Sequence, residues 1–330
     1  MKNEVILKMV KILNIVNGDA VIQIMKTANI DGDFLPWRDF LHDGPVPQNF
    51  SLDKLSKIRA HFIYEQGFGK LDELNQSFQE RDNILKSYEK YIKIILWFEH
   101  DLYDQLQLLQ VLAWFAENPS RTTSFSIICT ENYLGECSPS QVLNLLKYEE
   151  RITTKHFPLA TKAWRAFRKP TPEKWFQLLA KDTSTLPFLK SSIQRLLEEF
   201  PNTKNGLSRS EYQALFIIDK GESEPRSIFK KHQEYEKEKF MGDLIFWKIL
   251  DDFIDYKLIA SKQNGQELSI TPLGQEVLNG NKNWLQIKPI NRWIGGVNLT
   301  PKNLWCWDVK KRNIRKYYFS DVLSSLLAVK

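Results

Sequence analysis

Cysteine is scarce in this chain. Its 330 residues hold three, Cys129, Cys137 and Cys306, too few and too scattered for a disulfide framework, and no C-x-x-C pair exists to hold a structural zinc. Reduced thiols fit a cytoplasmic protein. Long apolar runs are missing too. No stretch of about 20 apolar residues exists, so neither a membrane span nor a membrane partner is expected. The opening MKNEVILKMVKILNIV is interrupted by Lys2, Lys8 and Lys11 and lacks a small-residue cleavage site, so it does not read as a signal peptide. There is no G-x-G-x-x-G and no G-x-x-x-x-G-K-[ST], which removes the dinucleotide fingerprint and the P-loop. The absence of G-x-S-x-G and H-E-x-x-H disfavours a serine hydrolase and a zincin. No internal repeat or low-complexity tract is visible.

What is present is ordinary globular material. Apolar residues make up 42% and charged residues 26%, enough to build real cores and to exclude wholesale disorder. The length predicts about two domains. Net charge is +6, yet residues 1–150 carry 15 Lys+Arg against 21 Asp+Glu, and the remainder carries 31 against 19. An acidic half joined to a basic half implies different partners for the two, or mutual attraction. The basic half fits nonspecific nucleic-acid contact or simply a solvated surface.

Hydrophobic patterning gives the organisation. KILNIVN reads as a short buried strand, followed by a helix with Val21, Ile24, Met25 and Ala28 on one face and Asp19 placed to cap it. A strand over Phe34 to Trp37 leads into a loop with His42-Asp43-Gly44-Pro45 turn chemistry. Two amphipathic helices follow at 51–65 and 70–90. IKIILWF (92–98) suits a strand buried on both faces, then a helix from Leu102 to Ala116, then the strand FSIIC (125–129). The order indicates an α/β fold with a mostly parallel N-terminal sheet flanked by helices over residues 1–138. Residues 139–206 read as a helical connecting segment. Residues 207–300 hold three helices, the first with a Ser208–Glu211 capping box, and then a hairpin turning at Asn264-Gly265. That order is winged-helix-like. LQIKPINRWIGGVNL (285–299), with Trp293 and Gly295-Gly296, reads as a tightly turning return segment, and residues 301–330 read as a basic tail.

NIVNGDA, PWRDFLHDGPVP, LWFEHDLYDQLQLLQ, LPFLKSSIQRLLEEFP, NGLSRSE and NRWIGGVNL resemble the bacterial domain-of-unknown-function 1835 family over most of residues 12–308. The resemblance implies a soluble protein with an α/β N-terminal domain and a helical C-terminal part. It carries over no catalytic residue, and Lys310 to Lys330 lie outside the pattern.

The chemistry therefore rests on the residues. In a parallel sheet the loops after the strands gather on one edge, where ligands bind. Three such loops are polar: Asn17-Gly18-Asp19; Trp37, Arg38 and Asp39 with His42 and Asp43; and Glu99-His100-Asp101 with Asp104 and Gln105. Asp19, Glu99, His100 and Asp101 are the catalytic candidates, and the other polar groups with Trp37 line a substrate site. Crowded carboxyls raise at least one pKa. Asp19, Glu99 and Asp101 suit a divalent metal, Mg²⁺ or Mn²⁺. Without a metal, a raised carboxyl and a carboxylate act as acid and base, and Arg38 neutralises an anion. Each residue also has a structural reading. Asp19 caps a helix, Asp101 and Asp104 favour a helix dipole, His42 belongs to a turn, and Trp97 packs in the core.

In the winged-helix-like segment, residues 241–257 hold Asp243, Asp251, Asp252 and Asp255 against Lys248 and Lys257, which opposes entry into a major groove. Backbone contact would fall to Arg226, Lys230, Lys231, Lys310, Lys311 and Arg312. The leading expectation is an enzyme-like α/β domain with an acidic, metal-dependent pocket for a phosphorylated or nucleotide-like ligand. The alternatives are a ligand-sensing or nucleic-acid-associated regulator and a protein-interaction module.

Overall fold

A computed structural model describes residues 11–262 and 265–318. It divides into two compact units: described residues within Met1–Phe40, Phe50–His100 and Asp104–Trp164 form the first, and those within Leu41–Asn49, Asp101–Tyr103 and Arg165–Lys330 the second. In chain order the elements are β1 (Ile12–Val16), α1 (Asp19–Thr27), β2 (Asp33–Pro36), the short β3 (Gly44–Pro45), α2 (Leu52–Glu65), α3 (Leu71–Lys86), β4 (Lys93–Glu99), α4 (Leu102–Glu117), β5 (Ser124–Thr130), α5 (Pro139–Leu145), β6 (Glu150–Arg151) and α6 (His156–Phe167).

The first unit is an α/β layer structure. Its sheet runs β2-β1-β4-β5-β6, with every pairing parallel except the short antiparallel β6. Six of the seven residues of β4 are buried, as a strand covered on both faces requires. One face packs Val16, Ile95, Trp97 and Ile128 against Val21 and Met25 of α1 and Val142 and Leu145 of α5. On the other face Leu13, Ile15, Ile94, Leu96 and Phe98 are equally buried. The polar Asn14 is tolerated inside β1 because its side chain is satisfied: Trp97 Nε1 donates to its Oδ1 at 3.0 Å, and its Nδ2 donates to the Asp31 carbonyl at 3.0 Å. The chain leaves β1 toward β2 and comes back on the other side through β4. The strand order thus reverses between β1 and β4, where open α/β sheets form their crevice.

The second unit continues with α7 (Glu173–Gln177), α8 (Leu189–Leu197), α9 (Arg209–Asp219), α10 (Pro225–Tyr235), α11 (Asp243–Asp255), β7 (Ile259–Lys262), β8 (Glu267–Ile270), α12 (Pro272–Asn279), α13 (Trp284–Ile287), β9 (Arg292–Gly295), β10 (Val297–Leu299), β11 (Leu304–Asp308) and β12 (Asn313–Tyr317). The expected capping box closes on α9 through Ser208 and Glu211. β7 and β8 pair antiparallel; Asn264 of the expected turn lies outside the described residues. Gly295 has φ +58°, and a Cβ on Gly296 would stand 2.0 Å from the Arg168 carbonyl oxygen, so the glycine pair answers a close backbone approach. β9 also pairs parallel with β3, which ties the His-Asp-Gly-Pro loop into this unit. The stretch expected as a basic tail forms the β11–β12 hairpin as far as Tyr317, and residues 319–330 lie outside the described residues. Among the described residues no helix is long and apolar enough to cross a membrane.

Candidate functional site

Asn17 follows β1 and Glu99 ends β4, so both stand at the reversal point. Asn17 Nδ2 donates to Glu99 Oε1 at 3.1 Å and to Asp104 Oδ2 at 2.9 Å. The loop after β5 adds the Leu134 backbone N–H, which donates to Glu99 Oε1 at 2.8 Å. Asp104 Oδ1 in turn accepts from the Glu99 backbone N–H at 2.6 Å, which ties the strand end to the first turn of α4. Loops after three parallel strands therefore meet in one buried polar cluster. Glu99 is 5% exposed and Asp104 1%. Burial is the main force on the Glu99 carboxyl, pushing its pKa up to about 7; the Leu134 N–H and Asn17 oppose this, and the Glu136 charge adds to it. The sequence predicts a raised carboxyl from mutual repulsion, whereas loss of solvent is the larger cause here.

One oxygen from each of Glu99, Asp101 and Asp104 lies within 4.8 Å of the others. All three belong to one unbroken stretch of chain, 99–104. Asp101 Oδ1 also accepts from the Tyr103 N–H at 2.8 Å, as a residue capping α4 would. Three buried hard-oxygen donors suit Mg²⁺ or Mn²⁺ better than Zn²⁺. Gln105, expected as a substrate ligand, is buried and spent on structure: its Nε2 donates to the Glu99 carbonyl at 2.7 Å and to Cys129 Sγ at 3.4 Å. The His100 ring lies 5.1 Å from that of Tyr133.

Asp19 does not cap α1. Gly18 takes the cap position without a side-chain bond, and Asp19, one residue further on, is pulled away by Arg38. Arg38 Nε and Nη2 each donate to Asp19 at 2.6 Å; the two side chains are 46% and 63% exposed. The pairing with Arg38 holds the Asp19 carboxyl below its ordinary range. Arg38 sits at φ +56°, a left-handed conformation costing a non-glycine residue about 1 kcal/mol. It is held there by its own N–H, which donates to the Asn17 carbonyl at 3.0 Å.

Trp37 and Asp39 are both buried. Trp37 is fully buried; its Nε1 donates to Gln110 Oε1 at 2.8 Å, and the Arg81 guanidinium lies 4.2 Å from its ring centroid. Asp39 is a buried ion-pair partner of Arg59 at 2.9 Å. Buried Arg59 and Arg81 escape sequence reasoning because basic residues on amphipathic helices read as solvent-facing. His42 and Asp43 belong to the second unit. There the His42 ring stands 5.0 Å from Phe240, and Asp43 accepts from Arg292 at 3.1 Å.

The second unit also contains an ion network that no local motif announces. Arg195 donates to Glu199 and Glu236, each at 2.7 Å, and to Ser210 Oγ at 2.8 Å. Arg292 reaches Glu199 at 3.4 Å. Burial alone would raise the Glu199 pKa, but the charges of Arg195 and Arg292 and the Ser210 hydroxyl overcome it and take it to about 2. Of the bases proposed for nucleic-acid contact, Lys231 is paired with Glu222 and Arg312 donates to Gln194 at 2.6 Å. Lys310, Lys311 and Arg312 lie between the strands of the β11–β12 hairpin.

No family model matches this chain, and no curated protein matches it either.

Proposed function

We propose that the carboxyl edge of the first unit's sheet is a divalent-cation site serving hydrolase-like chemistry on a phosphorylated or nucleotide-like ligand. The observation that carries this reading is that oxygens of Glu99, Asp101 and Asp104, on the one continuous stretch 99–104, lie within 4.8 Å of one another. Carboxylates brought this close in a buried place disfavour one another's charged forms. A bound cation would relieve that repulsion, and it would supply a clamp for phosphate oxygens or an activated water. Asn17 bridges two of the carboxylates and orients them. Arg38, half-exposed and held by Asp19, is the group that would meet an anionic ligand.

The same reading assigns the chain to the bacterial domain-of-unknown-function 1835 family, on the motifs around Asn17, Trp37 and Glu99, and to the cytoplasm, on its free thiols. It takes α9, α10, α11 and the β7–β8 hairpin as a winged-helix-like scaffold. The four aspartates of α11 and the engaged Lys231 and Arg312 weigh against a base-reading role.

Titration calorimetry with Mn²⁺ and Mg²⁺ tests the central claim. The wild-type chain is expected to bind Mn²⁺ with a Kd below about 1 mM, and Asp104→Asn to weaken it at least tenfold, about 1.4 kcal/mol. A wild-type protein that takes up neither ion would sink the cation reading.

A further inference from the structure

In the second unit, α10 is anchored by few buried groups. Of its 11 residues only Ile228 and His232, one turn apart, are buried, and irregular stretches at 221–224 and 236–242 flank it. The His232 ring packs 4.8 Å from the Phe246 ring of α11. Among the described residues its Nδ1 is buried with no hydrogen-bond partner. The charges that act on it are Glu236, Arg195, Glu199 and Arg209, and these are already paired with one another. Glu236, just past the end of α10, accepts from Arg195 of α8 at 2.9 and 2.7 Å and lies 3.5 Å from Arg209 of α9. Glu199 accepts from Arg195 at 2.7 Å. An imidazolium formed at His232 would be cut off from water, beside carboxylates that arginines already hold. Loss of solvent is the main force on the ring and takes its pKa down to about 4; Glu236 and Glu199 oppose this, and Arg195 and Arg209 add to it.

We propose that His232 is an acid-sensitive latch, which in its neutral form holds α10 against α9 and α11 and on protonation releases that helix. An unfolded imidazole takes up its proton near the ordinary value of 6.5, whereas the folded one resists until about 4. The latch is therefore complete above about pH 6.5 and is lost as pH falls toward 4. Glu199, at about 2, stays charged through that window, so its bonds to Arg195 do not open first. Glu99, which belongs to the first unit, moves the other way over the same window. The release is thus read on α10 itself, as a local opening rather than a change in the stability of the whole chain.

Hydrogen exchange of the full chain, followed by mass spectrometry between about pH 7 and 4.5 and corrected for the intrinsic pH dependence of exchange, tests it. The opening constant of 225–236 is expected to rise at least about tenfold on acidification, and by no more than about tenfold per pH unit, as uptake of one proton requires. That of α1 should stay within about threefold. His232→Leu and His232→Gln, neither of which can take up a charge, are each expected to keep the opening constant of 225–236 at acid pH within about threefold of its neutral value. No rise in the wild-type chain overturns the proposal. So does a rise steeper than one proton allows, a rise of the same size in α1, or a folded variant that keeps the acid response. If neither variant folds, the wild-type slope and its confinement to α10 decide alone.

Discussion

Glu99 in the first unit and Glu199 in the second are both buried glutamates in polar clusters, at 5% and 1% exposure, yet their carboxyls move in opposite directions, to about 7 and about 2. Burial pushes both upward. What differs is the company. Glu199 has two guanidiniums, Arg195 and Arg292, and the Ser210 hydroxyl, whose charges and hydrogen bond outweigh burial; Glu99 has the Asn17 amide and the Leu134 N–H, which do not. A buried carboxyl held charged by guanidiniums is a structural strut, whereas one whose pKa burial raises toward neutrality is suited to proton transfer or to a ligand. The contrast singles out the Glu99 cluster as the candidate site.

The largest effect expected falls on the balanced network. Arg195→Met strands Glu199 and Glu236 without their main partner and should cost about 3–5 kcal/mol in urea denaturation; a loss under 1 kcal/mol would erase the distinction drawn between the clusters. Next comes the pH response of Glu99. Its folded pKa, about 7, lies above the ordinary value of 4.5. Its contribution to stability is therefore complete below about pH 4.5 and is lost as pH rises through about 7. The full swing is roughly 3 kcal/mol. Glu99→Gln should flatten that slope between pH 4.5 and 7, and an unchanged slope would show that the titrating group lies elsewhere. Glu199 runs the other way: its contribution is present above about 4.5 and disappears as pH falls toward 2. The smallest effect is expected for the exposed pair. Arg38→Gln should shift stability by less than about 1 kcal/mol, while weakening inorganic phosphate binding severalfold in the Mn²⁺-loaded protein if Arg38 meets the ligand. Phosphate affinity equal to wild type would confine Arg38 to its bond with Asp19.

Much of the fold is legible from local pattern. The apolar runs at 12–16, 93–99 and 124–130 are strands where expected, and the Ser208–Glu211 box starts its helix, because strand burial and capping depend on neighbours within a few positions. The site is legible only in part. Asn17 meets Glu99 and Asp104 because parallel β1 and β4 deliver their ends to one edge, while Asp101 lies beside them by continuity of the chain. Trp37, Asp39, His42 and Asp43 are buried or half-buried with partners far along the chain, which local pattern does not announce. Arg292 offers no signal at all within NRWIGG, although it pairs with a residue 249 positions away.

Composition and periodicity were sufficient for an α/β chain with parallel strands, buried β4 and polar strand ends, since those properties follow from which side chains lie three, four or two residues apart. Whether a buried acid would face an arginine or another acid was beyond their reach. That choice depends on groups brought together across 82 residues for Asn17 and Glu99, or 41 for Arg195 and Glu236, and the field around a carboxyl is set by what touches it in space.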